Sequence, residues 1–236
     1  MKKTLAAAAL AAGMACLAKA DDRTWASSPI GVGIAAPIQV PYVETDIRGF
    51  RFGGLFGWNA DMVGLDLGVA SLETGEMRGL QLSAFSWTCE SVYGLQLSGL
   101  ANVADGNVFG WQNGAFNVDL GEVWGLQIGV VDYCNSFHGW QIGGLNWNNT
   151  PSHGWQVGAA NADQEEFTGF SLGGVVNFAP RMTGCQIGAV NVADSMTGVQ
   201  IGFFNAVQRM RGLQIGAVNI ICDGMLPIMV IANASF

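Results

Sequence analysis

A five-residue phrase, Gly-apolar-Gln-apolar-Gly, returns twelve times along this chain, opened by Gly49, Gly64, Gly79, Gly94, Gly110, Gly125, Gly139, Gly154, Gly169, Gly184, Gly198 and Gly212. Successive openings lie 14 to 16 residues apart. A short fixed period means one small structural unit copied many times, whose apolar face is buried only by its neighbours. Numbered from the glycine, positions 2 and 4 are apolar in nearly every copy. Position 3 is Gln in nine copies and Arg51, Asp66 or Ser171 in the others. That alternation, rich in β-branched and aromatic residues, is a strand pattern. Position 5 is Gly except at Ser83 and Ser98, and position 8 is usually Asn, as in Asn117, Asn146, Asn161, Asn191, Asn205 and Asn219. Charges gather in the last third of each unit, among turn-forming residues. Helix is excluded by the glycine density.

Two all-β folds satisfy this pattern. Each unit can be one strand of an antiparallel meander that closes into a β-barrel of about 14 strands, or one coil of about 15 residues in a β-solenoid. Four features favour the barrel. Ten extended residues tilted at about 45° rise roughly 24 Å, the height of an outer-membrane barrel's apolar band. Aromatic residues gather near both ends of the units, for example Tyr93, Trp124, Trp140 and Trp155 at the start and Trp87, Tyr133 and Trp147 toward the end. The closing segment 226–236 alternates and ends on Phe236, and an early extended segment from Ile30 to Val40 makes the strand tally even. Pro37, Pro41 and Pro227 then mark a seam. Low charge decides the choice: 12% of the residues are charged, against about 25% in soluble domains. In the solenoid alternative, positions 2, 4, 7 and 9 would face inward and recurring Gln and Asn could stack as amide ladders.

Residues 1–20 read as a secretory signal: Lys2 and Lys3, an apolar stretch from Thr4 to Leu17, and Ala18-Lys19-Ala20 before Asp21. Residues 21–236 then form a single repeat-built β domain, with units over about 49–224. Cys16 lacks the leucine of a lipoprotein box three residues before it, and lipidation is not expected there. Beyond residue 20 the chain has no Lys, 7 Arg and 18 acidic residues, a formal charge of −11, so nucleic acid is a poor partner. Cys89, Cys134, Cys185 and Cys222 show no zinc-ligand spacing and read as small buried or free thiols.

No motif for catalysis, cofactor or metal stands out, and a non-enzyme is expected. His138 and His153 each precede a unit's glycine. In a solenoid they would stack about 5 Å apart and could share a metal or a proton, whereas in a meander they lie at opposite strand ends. Solvated turn histidines are the default reading. Arg51 and Asp66 hold position 3 of consecutive units and could face each other as an ion pair, structural or lining a constriction.

The copies GLQIGVVD, GCQIGAVNVADSMT, GVQIGFFNAV and GLQIGAVNIICDG, with the closing LPIMVIANASF, resemble a bacterial family of surface repeat-containing proteins. The resemblance runs from about Ile30 to Phe236 and implies a surface or outer-membrane location, without catalytic or ligand-binding residues. The expectation is an outer-membrane barrel with a structural or passive-pore role and membrane lipid as its partner. The alternative is an exported β-solenoid acting as a surface binding or adhesion module.

Overall fold

The computed structural model describes residues 26–42 and 45–235; residues 1–20, expected to be a secretory signal and including Cys16, and Phe236 lie outside them. The chain winds as a pile of repeating coils, a β-solenoid of about eleven turns, and not as a barrel. Consecutive units pair in parallel and in register: Gly139 lies beside Gly154, Gln141 beside Gln156, and Asn146 beside Asn161. The same one-unit register joins Gly49 to Gly64, Gly64 to Gly79 and Gly169 to Gly184. The expected meander fails because each unit turns back on itself before the next begins. Its fifth position is a corner inside the unit.

The fifth and sixth coils show this most plainly. Each is cut into two strands, Val108–Asn113 with Phe116–Asp119, and Glu122–Ile128 with Val131–Cys134. The first strands of the two coils pair with each other, and so do the second strands. Every coil therefore has one side running from position 14 of the preceding unit to position 4. A tight corner follows at positions 5 and 6, then a second side from 7 to 10 and a wider turn at 11 to 13. The corner breaks strict alternation, which is how Asn at position 8 comes to face inward together with Gln at position 3. Where a coil holds an extra residue, as between Gly173 and Val176, a bulge absorbs it and Asn177 keeps its column beside Asn161 and Asn191.

The interior is the reverse of the one expected for a solenoid. Positions 3, 8, 10 and 13 or 14 point inward, and positions 2, 4, 7 and 9 point out. Every Gln at position 3 and every Asn at position 8 is buried. Only the last inward column is apolar throughout most of its length: Met62, Met77, Val92, Val108, Val123, Phe137, Phe167, Met182, Met196 and Met210. That column escaped the sequence reading because it sits in the charged third of the unit. Its one signal is an apolar residue two places before every opening glycine except Gly154, where Ser152 stands.

Two glycine columns make the winding possible. The opening glycines all have φ between 129° and 150°, and a Cβ on Gly154 would overlap the carbonyl oxygen of Gly139. At position 5 a Cβ on Gly188 would sit 2.5 Å from the carbonyl of Gly173 and 2.7 Å from the Asn177 amide nitrogen, so the corner has room only for hydrogen.

The ends are covered by strands of their own. Ser27–Ala35 runs parallel to the first coil and is followed by Ile38–Val40, antiparallel to it. Ile228–Ser235 lies antiparallel on the last coil. Pro37, Pro41 and Pro227 thus stand at opposite ends of the pile, not at a closing seam.

Candidate functional site

The interior polar groups form two continuous ladders. The Gln column runs backward along the chain: Gln96 Nε2 donates to Gln81 Oε1 at 2.8 Å, Gln112 to Gln96 at 2.9 Å, and Gln141 to Gln127 at 2.9 Å. The Asn column runs forward: Asn161 Nδ2 donates to Asn177 Oδ1, Asn177 to Asn191, Asn191 to Asn205 and Asn205 to Asn219, each at 2.8 Å. Asn177, Asn191 and Asn205 each also donate to a position-4 carbonyl of the next coil, as Asn191 does to Ile201 at 2.9 Å, while Asn161 donates to the Ser171 hydroxyl instead. That bond ties the corner of one coil to the coil above. A buried amide column is acceptable in a low-dielectric interior because nearly every member is satisfied.

The exceptions coincide with breaks in the repeat. Where Asp132 replaces Asn, Asn117 still donates to Asp132 Oδ1 at 2.6 Å, but Asp132 Oδ2 and Asn146 Oδ1 are both buried without a partner. Where Ser171 replaces Gln, Gln156 Oε1 is left without one. Burial pushes the Asp132 carboxyl up to about 7. Asp119 and Asp163, at position 10, are pushed up to about 8 and about 7 by burial, against bonds donated by Gln112 and Gln127 and by Asn148 and Gln156. Burial also raises the Cys134 thiol, with Asp119 adding to the effect. Cys134 is thus an inert interior thiol, while Cys222 is a free thiol at the surface.

Arg51 and Asp66 do meet. Arg51 Nε donates to Asp66 Oδ1 at 2.6 Å and Nη2 to Asp66 Oδ2 at 2.5 Å; Nη2 also reaches Glu73 Oε1 at 3.0 Å, and Nη1 donates to Asn59. Gln81 closes the network by donating to Asp66 and Glu73. Burial raises the Glu73 carboxyl, with Arg51 opposing it. A closed, packed interior holds this cluster, so it has no channel to constrict and its role is to fasten the first coils together.

His138 and His153 stack with ring centroids 5.3 Å apart, and Trp124 lies 4.0 Å from His138. Burial and the neighbouring imidazole lower His138, and Glu122 opposes them. Among the described residues no group of three or more His, Cys, Asp and Glu is placed to hold a metal ion.

The exterior is where the molecule departs most from a water-soluble design. In all twelve units, positions 1 to 9 carry no charged residue except Arg51, Asp66 and Asp132, all buried. The outward residues there are apolar: Trp140 is 55% exposed and Trp155 50%, while Leu100 and Phe203 at the corner are 61% and 71% exposed. Outward charges occupy the turn at positions 11 to 13 and its margins, among them Asp61, Glu76, Arg78, Glu122, Arg181 and Arg209. Sequence reasoning identified low charge and two aromatic belts; the winding shows that the belts flank one charged edge from opposite sides. On one side lie Tyr93, stacked on Phe109 at 5.1 Å, then Trp124, with Trp140 on Trp155 at 5.4 Å. On the other lie Trp87, Tyr133 and Trp147. Their polar atoms reach toward the charged edge: Trp124 Nε1 donates to Glu122 at 3.0 Å, Trp147 Nε1 to Asn149 at 3.1 Å, and Asn149 donates to the Tyr133 hydroxyl at 2.6 Å.

Neither a family model, nor a curated protein, nor a solved structure matches this chain.

Proposed function

We propose that this chain is an exported β-solenoid that works as a surface binding module, using its two uncharged sides and not an internal chamber. The observation that carries this reading is the complete lack of outward charge over positions 1 to 9 of twelve successive coils. Soluble monomers seldom present a contiguous apolar patch beyond about 300–600 Å², and larger ones mark surfaces that meet something else. The interior offers no rival site: it is filled by amide ladders, a methionine-rich column and the Arg51 network. The signal-like residues 1–20 support export, and the repeat resemblance supports a place at the bacterial surface. A passive pore has no support here, since inward side chains close the space between the two sides.

Cell fractionation with mass analysis tests the reading. The expected result is a chain recovered with the cell envelope, shortened to begin at Asp21, and cut by external protease at the charged turns such as 164–165. Recovery from the cytosol with residues 1–20 intact overturns it.

A further inference from the structure

We infer that the partner of the apolar sides is lipid, and that the solenoid stands edge-on in a single leaflet. The corner at positions 5 and 6 lies deepest, the aromatic belts at headgroup level, and the charged edge in water. This inference rests on the surface-module reading and names what the surface meets.

Three features of the exterior point to lipid over another protein. The first is the sequence of chemistry from edge to edge. The far rim carries Leu55, Val69, Leu100, Val130, Val175 and Phe203, all exposed, with Ala or Gly at position 6 of the remaining coils. Next come outward Leu, Ile and Val at positions 2, 4 and 7, then the aromatic belts, then the ionic turn. Trp124 bonds its polar atom to Glu122, and Trp147 and Tyr133 bond theirs to Asn149, on the side of the charged edge. That is the orientation such rings take at a membrane–water boundary.

The second is depth. From the belts to the corner is three extended residues (Trp140 to Gly143, Trp147 to Gly144) to five (Trp124 to Gly129), roughly 10–17 Å at ~3.3 Å each, which fits within one half of a hydrocarbon core of about 30 Å.

The third is that two opposed sides are uncovered. About eleven turns at ~4.8 Å make a pile roughly 50 Å long, so each side presents roughly 500–750 Å². One side is close to the ~800 Å² that each partner buries in a standard protein interface. A second copy docked there would leave the other side and the rim exposed, whereas a leaflet covers all three at once. The backbone meets the requirement of such a medium as well. N–H and C=O groups of the coils pair with the coils before and after, and the end coils are covered by Ser27–Ala35 and Ile228–Ser235.

The test uses the full chain with zwitterionic phosphatidylcholine vesicles. Tryptophan emission is read against lipids brominated near the headgroup or near the acyl-chain end. Residues 1–20 contain no tryptophan, so emission reports the remainder of the chain. Wild type should float with vesicles and remain bound in high salt, with headgroup-level bromine the stronger quencher of the native tryptophans. In the variant Phe203→Trp the added emission should respond most to the deep bromine. Phe203→Arg and Val130→Arg should each lower vesicle partitioning at least tenfold, while Arg209→Gln on the charged edge should leave it unchanged. All variants should keep the β-sheet circular dichroism signal. A protein that does not float, a reversed quenching order, or a discrete dimer that ignores vesicles overturns the inference. If the chain is nevertheless held at the cell surface, the binding-module reading stands and only the lipid partner is lost.

Discussion

Asp132→Asn should make this protein more stable, and more so as the pH rises. In the native chain Asp132 interrupts an otherwise continuous Asn column. Asn117 donates to it, but Asp132 Oδ2 and the next member's Asn146 Oδ1 have no hydrogen-bond partner. An ionised carboxylate cannot donate, so the two acceptors confront each other; a protonated one can bond Asn146 as an amide does. Burial raises this carboxyl from 3.8 to about 7, with the Asn117 bond opposing it. The sign follows from linkage. Because the folded pKa lies above the unfolded one, the contribution is fully present below about pH 4 and is lost as pH rises through about 7. A shift of about 3 units corresponds to roughly 4 kcal/mol lost by pH 9, and to about a third of that at pH 5. Asparagine restores the donor at every pH and should recover most of that loss. At ~2–4 °C per kcal/mol for a chain of this size, the melting temperature should rise by about 5–15 °C at pH 9, and by a few degrees at pH 5. Thermal melts followed by circular dichroism at both pH values measure it. A gain equal at the two pH values, or a loss at pH 9, would refute the reasoning.

Ser171→Gln, at the corresponding gap in the glutamine column, should give Gln156 Oε1 a donor and raise stability by about 1 kcal/mol, read in the same melts. Gly154→Ala forces a side chain into φ +136° and against the Gly139 carbonyl; the expected cost is about 3 kcal/mol or more, with lost soluble yield as the extreme outcome. Arg51→Met leaves Asp66 and Glu73 buried without their cation and should destabilise by about 3–5 kcal/mol at pH 8. Lowering the pH to 5 should recover part of that loss, because a protonated Glu73 no longer needs the guanidinium; urea titrations at the two pH values check it.

The repeat by itself determined a good deal: all-β structure, the unit length, strands with Gln and glycine on one face and Leu, Ile or Trp on the other, and turns holding the ionic groups. It also put Arg51 next to Asp66 under either fold, since consecutive units are neighbours in both. Low charge is legible too, and it favours a barrel over a solenoid only on the assumption that a solenoid needs a charged surface. What the sequence left open was the direction of each neighbour. A uniform repeat paired with itself in register shows the same faces whether strands run up and down or all one way, so alternation cannot choose between them. The choice is made at the corner around position 5, which folds each unit back, swings Asn inward beside Gln, and at Gly188, Gly202 and Gly216 has no room for a Cβ. Only with consecutive coils parallel can Asn191 reach both Asn205 and the Ile201 carbonyl, and His138 stack on His153 at 5.3 Å. Tertiary structure therefore decided that the amides form the core and that the aromatic belts border a single charged edge, because both depend on how one coil lies on the next.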